Sequence, residues 1–416
     1  MNKIIKAIRW LYPGLKIKRW IGLLLLGMLL ILVSSHLVVR EKSQTIQIIY
    51  KALLNVGIGT LIIGTYYLIK SFFEAIYPDD DKNLLDIIYA KRFLSKGPKI
   101  VVVGGGTGLS TVLNGLKEYT TNIVAIVTVS DEGGSSGRLR EEFGILPPGD
   151  IRNCLVSLAE APKLMRDLFQ YRFKEGEGLK EHSFGNLFIT AMTQVTGSFE
   201  EAIKASSKVL AIRGKVIPST LDKIRLKAEY SDGTIKEGED KITAAGKSIK
   251  RICLTPVSVC PNPEAIEAIR GAEVIILGPG SLFTSVIPNL LIGQMPDEIA
   301  KRNVLKLYMC NVMTQHGETD GFTAADHLQA LITHAKRNIV NSCLVNSGHL
   351  DYNLLFRYAQ DKSFPVIFDR ERLKKMVALV FEGNIVSVSD YLHHDSDKTA
   401  KIIIDMYHYY KKRWKG

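Results

Sequence analysis

Four glycines fall within five positions at Gly104, Gly105, Gly106, Thr107 and Gly108, directly after the apolar run 100–103. A strand that breaks into glycines just before a helix presents bare backbone N–H groups. The helix adds the positive end of its dipole, so phosphate or pyrophosphate is the natural guest. The loop is not a P-loop, because Leu109 and Ser110 occupy the places where Lys and Ser/Thr are required. It opens like the dinucleotide fingerprint, but its third glycine position is Leu109. Taken alone, it also fits a tight strand-to-helix turn that holds nothing.

A second strand-like run, 123–129, ends in Ser130, Asp131, Glu132, Gly133, Gly134, Ser135, Ser136, Gly137, Arg138, Leu139 and Arg140. In an open parallel sheet the carboxyl ends of neighbouring strands line one crevice. Asp131 and Glu132 then stand beside the glycine loop, where they can hydrogen-bond a ribose or hold a divalent cation. Ser135, Ser136 and the glycines add N–H and hydroxyl groups, and Arg138 and Arg140 offer bidentate forks for phosphate. A flexible linker is the plain alternative, although a linker seldom sets two acids and two arginines around its glycines.

Pro147, Pro148 and Gly149 fix a turn before Asp150, which is placed to cap a helix over 151–160 with Arg152 and Asn153 in its first turn. Capping alone would account for Asp150. His182, Ser183, Phe184, Gly185 and Asn186 open another apolar helix, 187–192; a lone His182 reads as a hydrogen-bonded structural residue. The run 274–277, followed by Gly278, Pro279, Gly280 and Ser281, repeats the opening logic and suggests the other side of one nucleotide-sized crevice. After a further strand, Asn311, Thr314, Gln315, Glu318 and Asp320 concentrate groups suited to a sugar or ribose. Neither a Ser–His–Asp order nor HExxH occurs, so no nucleophile is assigned. Asp131 and Glu132 are the candidates for catalysis, and Asp131 for a metal. A redox dehydrogenase fits less well, for want of the third fingerprint glycine and a hydride-relay pair.

These tips need a scaffold. Runs 100–103 and 274–277 are apolar throughout and 123–129, 304–309 and 339–345 largely so, as expected of parallel strands covered on both faces, and a helix over 111–118 follows the first. The expected class is α/β, a Rossmann-like doubly wound and mostly parallel sheet. Residues 223–241 alternate and carry charge around Asp232–Gly233, which reads as a solvent-facing hairpin inserted into the domain.

The formal charge of the 416-residue chain is +12. Six basic residues before position 20 and four after 410 leave about two of those charges for everything between. Basic tails suit an anionic membrane surface, and the body has no basic run of the kind nucleic acid requires. Five cysteines without CxxC spacing read as reduced thiols. Residues 20–39 carry no formal charge; a helix of that length crosses roughly 30 Å of hydrocarbon. Residues 52–69, between Lys51 and Lys70, form a second such run, for which a buried core helix is the alternative.

Basic residues crowd the first run and recur after the second at Lys70, Lys82, Lys91 and Arg92. The expectation is a hairpin in the cell membrane, with residues 40–50 outside and both termini and the main domain cytoplasmic. A cleavable signal peptide is disfavoured, because no small-residue cleavage site stands out near Ser34, Ser35 and His36. The expected organisation is a basic segment 1–19, the hairpin 20–73, a polar connector 74–98 with a short amphipathic helix over 84–94, the nucleotide-binding domain 99–390, and a C-terminal helix with basic tail 391–416.

The segments GGGTGLS, SDEGGSSGRLR, LPPGDIRNCL, LFQYRF, HSFGN, GPGSLFTS, PNLL and CNVMTQHGETDGFT together resemble the bacterial gluconeogenesis factor family, related to 2-phospho-L-lactate transferase. The resemblance covers about residues 98–390. It implies a Rossmann-like fold with an inserted subdomain, binding of a nucleotide-type ligand of the UDP-sugar kind, and a role in cell shape or envelope synthesis during gluconeogenic growth. By position, Gly104, Gly105, Gly106, Thr107 and Gly108 would hold phosphate. Asp131 would face the site, lined by Asn153, Asn186, Gly280, Ser281 and Asn311. The transferase relatives imply the alternative activity, metal-dependent transfer of a phospho-linked group from a nucleotide diphosphate, with Mg²⁺ as the expected ion. Envelope-synthesis proteins are the expected protein partners, and self-association stays open. This chain has Glu132 where the family has a second Asp, and His316 where it has Pro.

Overall fold

The computed structural model describes residues 17–40, 43–76, 92–388 and 392–414. The basic segment before residue 17 and most of the connector, including Lys82, Lys91 and most of the helix expected over 84–94, lie outside them. The chain divides into two compact units, parting between residues 88 and 89.

The first unit holds α1 (Ile17–Arg40) and α2 (Gln44–Ile76). Both are long and apolar enough to cross a membrane. They run antiparallel, with Trp20 stacked on Tyr67 at 4.4 Å and Gly27 beside Gly57 and Leu61. A Cβ on Gly27 would lie 2.9 Å from the Leu61 nitrogen, and one on Gly57 3.0 Å from Ile31. Glycines at the seam let the backbones approach, which is how helices associate where lipid removes the hydrophobic drive between them. Their exposed faces carry Leu25, Leu29, Leu32, Ile48, Val56 and Ile62.

In the second unit the chain order begins β1 (Ile100–Gly104), α3 (Gly106–Leu116), β2 (Ile123–Val127), α4 (Gly134–Phe143), α5 (Gly149–Leu158), α6 (Phe184–Thr196) and β3 (Lys215–Pro218). An insertion follows, made of β4 (Arg225–Tyr230), β5 (Ile235–Glu237), α7 (Glu239–Ala244) and β6 (Ile249–Thr255). The main sheet resumes with β7 (Val274–Leu277), β8 (Leu305–Met309), α8 (Ala324–Ala335), β9 (Ser342–Asn346) and β10 (Leu379–Gly383), and α9 (Ser396–Trp414) closes the described chain.

The seven strands pair in the order β10-β9-β8-β7-β1-β2-β3, and every neighbouring pair is parallel. Ile100, Val102, Val103, Ile126, Ile275, Ile276 and Leu307 are fully buried, because helices cover both faces. From β1 the chain winds one way to β3, then returns beside β1 as β7 and winds the other way. The β1–β7 boundary is therefore the topological switch point, where open α/β sheets leave a crevice at their carboxyl ends.

Several boundaries differ from the sequence reading. Helix α3 begins at Gly106, not at residue 111, so the glycine loop itself forms the first helical turn. The glycine–serine stretch after Asp131 is likewise the start of a helix, α4. The insertion reaches Thr255: β4 pairs with β6 as well as β5, and Leu226, Ala228 and Tyr230 bury one face of it. Its hairpin is therefore not solvent-facing throughout. Helix α9 is part of the core: it packs on α3 with Ala400 beside Gly115, and it buries Ile403, Met406 and Tyr410.

Candidate functional site

The glycine-broken tips of β1 and β7 meet. A Cβ on Gly105 would lie 2.5 Å from Asp150 Oδ2 and 2.6 Å from Thr128 Cγ2. Gly280, at φ +147, lies so close that its own Cβ would be 3.0 Å from the Gly105 carbonyl oxygen. Only glycine fits either place. From the β8 tip, Asn311 accepts the Gly280 N–H at Oδ1 (3.2 Å) and donates from Nδ2 to the Gly280 carbonyl (2.8 Å). Ser281 donates to Gln315 Oε1 at 2.6 Å. A cavity of about 280 Å³ opens between these tips, lined by Thr107, Gly108, Gly280, Ser281, Asn311 and Gln315 among others. A second, of about 260 Å³, continues past Asn311 and Val312 to the β9 tip at Asn346, Ser347 and Gly348.

Acids gather on the β2 side. Asp150 is not a cap: Pro148 occupies that position, and the Asp150 carboxylate accepts the Gly106 N–H. Burial, and then the charge of Asp131, push its pKa up to about 7. Asp131 lies against Gly149 and Ser136, with Oδ1 accepting the Gly133 N–H at 3.0 Å. Two further acids join them, of which only Glu318 was singled out in the sequence. Glu239, from the first turn of α7 in the insertion, is raised to about 7 by burial and then by Asp131, Glu318 and Asp150. Glu318, 2% exposed, is raised to about 7 by burial. It accepts from Phe283 N (3.2 Å), Thr284 Oγ1 (3.2 Å), Thr243 Oγ1 (3.3 Å) and Gln315 Nε2 (3.0 Å), tying the insertion to the β7 and β8 tips.

Of the residues singled out in the sequence, the structure brings Thr107, Gly108, Gly280, Ser281 and Asn311 to the lining of the first cavity; Gly104 is buried at the end of β1, and Gly105 and Gly106 lie against Asp150 behind it. Asp131, Ser135, Ser136, Asn153 and Asn186 form a second group at the start of α4, α5 and α6. There Asn186 donates to Ser135 Oγ (3.2 Å), and Ser135 is hydrogen-bonded to His182 Nδ1 (2.9 Å). Four others face elsewhere. Glu132 is drawn into ion pairs with Arg140 (3.2 Å) and Arg225 (3.3 Å), so neither Glu132 nor Arg140 faces the crevice as expected. Arg138 is exposed and donates to the Lys180 carbonyl at 3.0 Å. Thr314 turns its hydroxyl to the Phe364 N–H at 2.9 Å.

Glu318 lay within a segment already marked as polar, and its Gly317–Glu318 position was the available signal. For Glu239 the sequence offers none, because only the folded insertion carries it to Asp131. Among the described residues no group of three or more His, Cys, Asp or Glu has the arrangement of a metal centre. The five cysteines are free thiols.

The parallel order and the crevice at its switch point define a Rossmann-like α/β protein whose candidate site is built from glycine loops. Residues 100–386 match the 2-phospho-L-lactate transferase CofD family. The gluconeogenesis factor of Bacillus subtilis is 47% identical, over 75% of this chain and 99% of its own length. A relative from Nostoc sp. is 44% identical over 98% of this chain and 94% of its own. A crystal structure of a protein from Bacillus halodurans, 49% identical, superposes with a TM-score of 0.73 and covers 74% of this chain and 100% of its own. The chain belongs to the CofD family and, within it, to the gluconeogenesis factors. The match to the Nostoc relative, at 98% of this chain, extends through the helical hairpin.

Proposed function

We propose that the crevice at the β1–β7 switch point binds a nucleotide sugar of the UDP class. The chain is then a membrane-tethered binding protein that regulates envelope synthesis and cell shape, with its main domain on the cytoplasmic side. The observation that carries this reading is the meeting of Gly105 and Gly280, where two strand tips approach without room for a Cβ beside a cavity lined by Thr107, Gly108, Gly280 and Ser281 at the start of α3. The adjoining cavity toward β9 gives length for a ligand larger than a phosphate. Two helices long enough to span a bilayer support the tether, and the basic residues flanking them support the orientation. Isothermal titration of the protein with UDP-N-acetylglucosamine is the test. Saturable binding supports the reading, and no heat at millimolar ligand removes it.

The second reading is a metal-dependent transferase acting on a nucleotide diphosphate. It is favoured by the carboxylates of Asp131 and Asp150 beside the glycine loop, where burial and then the charge of Asp131 raise the proton affinity of Asp150. A pair of carboxylates beside a diphosphate fits Mg²⁺, which is usually held by one or two acids plus substrate phosphates. Asp131 and Asp150 would hold the ion, and the ion would neutralise phosphate charge. Metal-dependent release of a nucleoside monophosphate, lost in Asp131→Asn, would establish it; tight binding without turnover would exclude it.

A further inference from the structure

Two cations are buried at the ends of α5, and their surroundings are opposite. Lys117, 7% exposed, donates from Nζ to the carbonyls of Ser157 (2.8 Å) and Ala159 (3.4 Å), at the negative end of the helix. Arg152, 9% exposed, lies in the first turn, at the positive end. Its Nη1 donates to Ser183 Oγ and, at 3.1 Å, to Asn186 Oδ1. Ser183 is itself the cap of α6, accepting the Asn186 N–H at 3.2 Å. The guanidinium is thus pressed against the N-termini of two helices, of 10 and 13 residues.

Every hydrogen-bond partner of Arg152 among the described residues is neutral, Nη2 going to Asn153 Oδ1 at 2.7 Å. Its Nε is buried with no partner. Burial, and then the nearby Arg172, weaken its hold on the proton, and Asp150 and Asp131 offset this only through space. A buried charge without a contacting counter-charge is costly, and helix N-termini add to the cost for a cation. An oxyanion would relieve both at once, accepting from the guanidinium while its charge lies at the positive ends of the two helices.

We propose that Arg152, with Asn153 and the N-terminus of α6, forms an anion subsite for a phosphate or carboxylate group. The open side is that of Nη2, whose bond to Asn153 is only partly buried. This rests on the crevice reading for the rest of the ligand: the nucleotide occupies the cavities toward β8 and β9, its diphosphate meets the glycine loop, and an anionic group beyond it reaches Arg152 on the β2 side. The ligand therefore carries an acidic group outside its nucleotide.

The test is thermal unfolding of the full chain in detergent, with sodium phosphate or sodium acetate against sodium chloride at equal ionic strength. The expected result is a saturable rise in Tm of several degrees with at least one oxyanion. It should vanish in Arg152→Gln and persist, weakened, in Arg152→Lys. A response to phosphate alone assigns the group as a phosphoryl, and a response to acetate assigns it as a carboxylate. No oxyanion-specific rise in the wild type, or a rise undiminished in both variants, overturns the proposal. Should Arg152→Gln not fold, the wild type and Arg152→Lys decide. UDP titrated into the same wild-type preparation reports separately on the nucleotide reading, since the oxyanion response does not need it.

Discussion

Asn311 holds Gly280 by both of its backbone polar groups, the N–H at 3.2 Å and the carbonyl at 2.8 Å. One side chain on the β8 tip therefore fixes the peptide that faces the β1 loop. Asn311→Asp replaces the donor with a second acceptor aimed at the Gly280 carbonyl. The expected cost is about 1–3 kcal/mol, because a buried acceptor loses its partner. Titration with UDP-N-acetylglucosamine should show at least tenfold weaker binding while the circular dichroism spectrum is unchanged.

Gly105→Ala should be harsher than its size suggests. The added methyl would meet Asp150 Oδ2 at 2.5 Å and Thr128 Cγ2 at 2.6 Å, both in packed surroundings. Overpacking of this kind costs about 1–3 kcal/mol. A lowered Tm together with lost ligand binding is expected; unaltered binding would mean that the loop does not face the ligand.

The two adjacent acids should behave differently. Glu132→Gln breaks the ion pairs to Arg140 and Arg225 and leaves Arg140, whose side chain is 11% exposed, without its carboxylate. Stability should fall by about 1–3 kcal/mol, read by denaturant unfolding, because a largely buried charge loses its partner. Asp131→Asn removes negative charge that presses on Asp150 and Glu239, so it should leave Tm level or raise it.

Stability should depend on pH in the neutral range. Asp150, Glu239 and Glu318 are each raised to about 7 in the folded chain. A carboxyl raised on folding keeps its proton in the folded state when the unfolded chain has lost it, from about pH 4 to about pH 7. Its contribution is complete below about pH 4 and is lost as pH rises through 7. Glu298, lowered to about 2 by Arg270 and Lys301, acts only under acid conditions. His182, His327 and His334, whose proton affinity burial lowers, act in the opposite sense below about pH 6.5. The assignment is therefore read as a difference: between pH 5 and pH 8 the Tm of the wild type should fall relative to that of Asp150→Asn. Parallel Tm profiles for the two proteins would contradict the assignment.

Much of the scaffold was legible in the sequence because its signal is local. Val101, Val102 and Val103 with the glycines after them mark a buried strand and its tip, and the same pattern recurs before Gly278. The β3 strand was not legible: Lys215, Val216, Ile217 and Pro218 are too short a run, and pairing with β2 decides their conformation. The glycine–serine stretch after Asp131 reads as a loop by composition, but packing turns it into α4. The fate of Glu132 depends on Arg225, 93 residues away, and that of Glu239 on a folded insertion; no window of sequence contains either relationship.

The most direct measurement is a crystal structure of the domain from about residue 98 onward, soaked with UDP-N-acetylglucosamine. The account predicts the diphosphate within hydrogen-bond distance of the backbone N–H groups between Gly105 and Gly108, with Gly280 and Asn311 on its far side. A ligand seated away from both glycine tips, with the cavity between them empty, would contradict it.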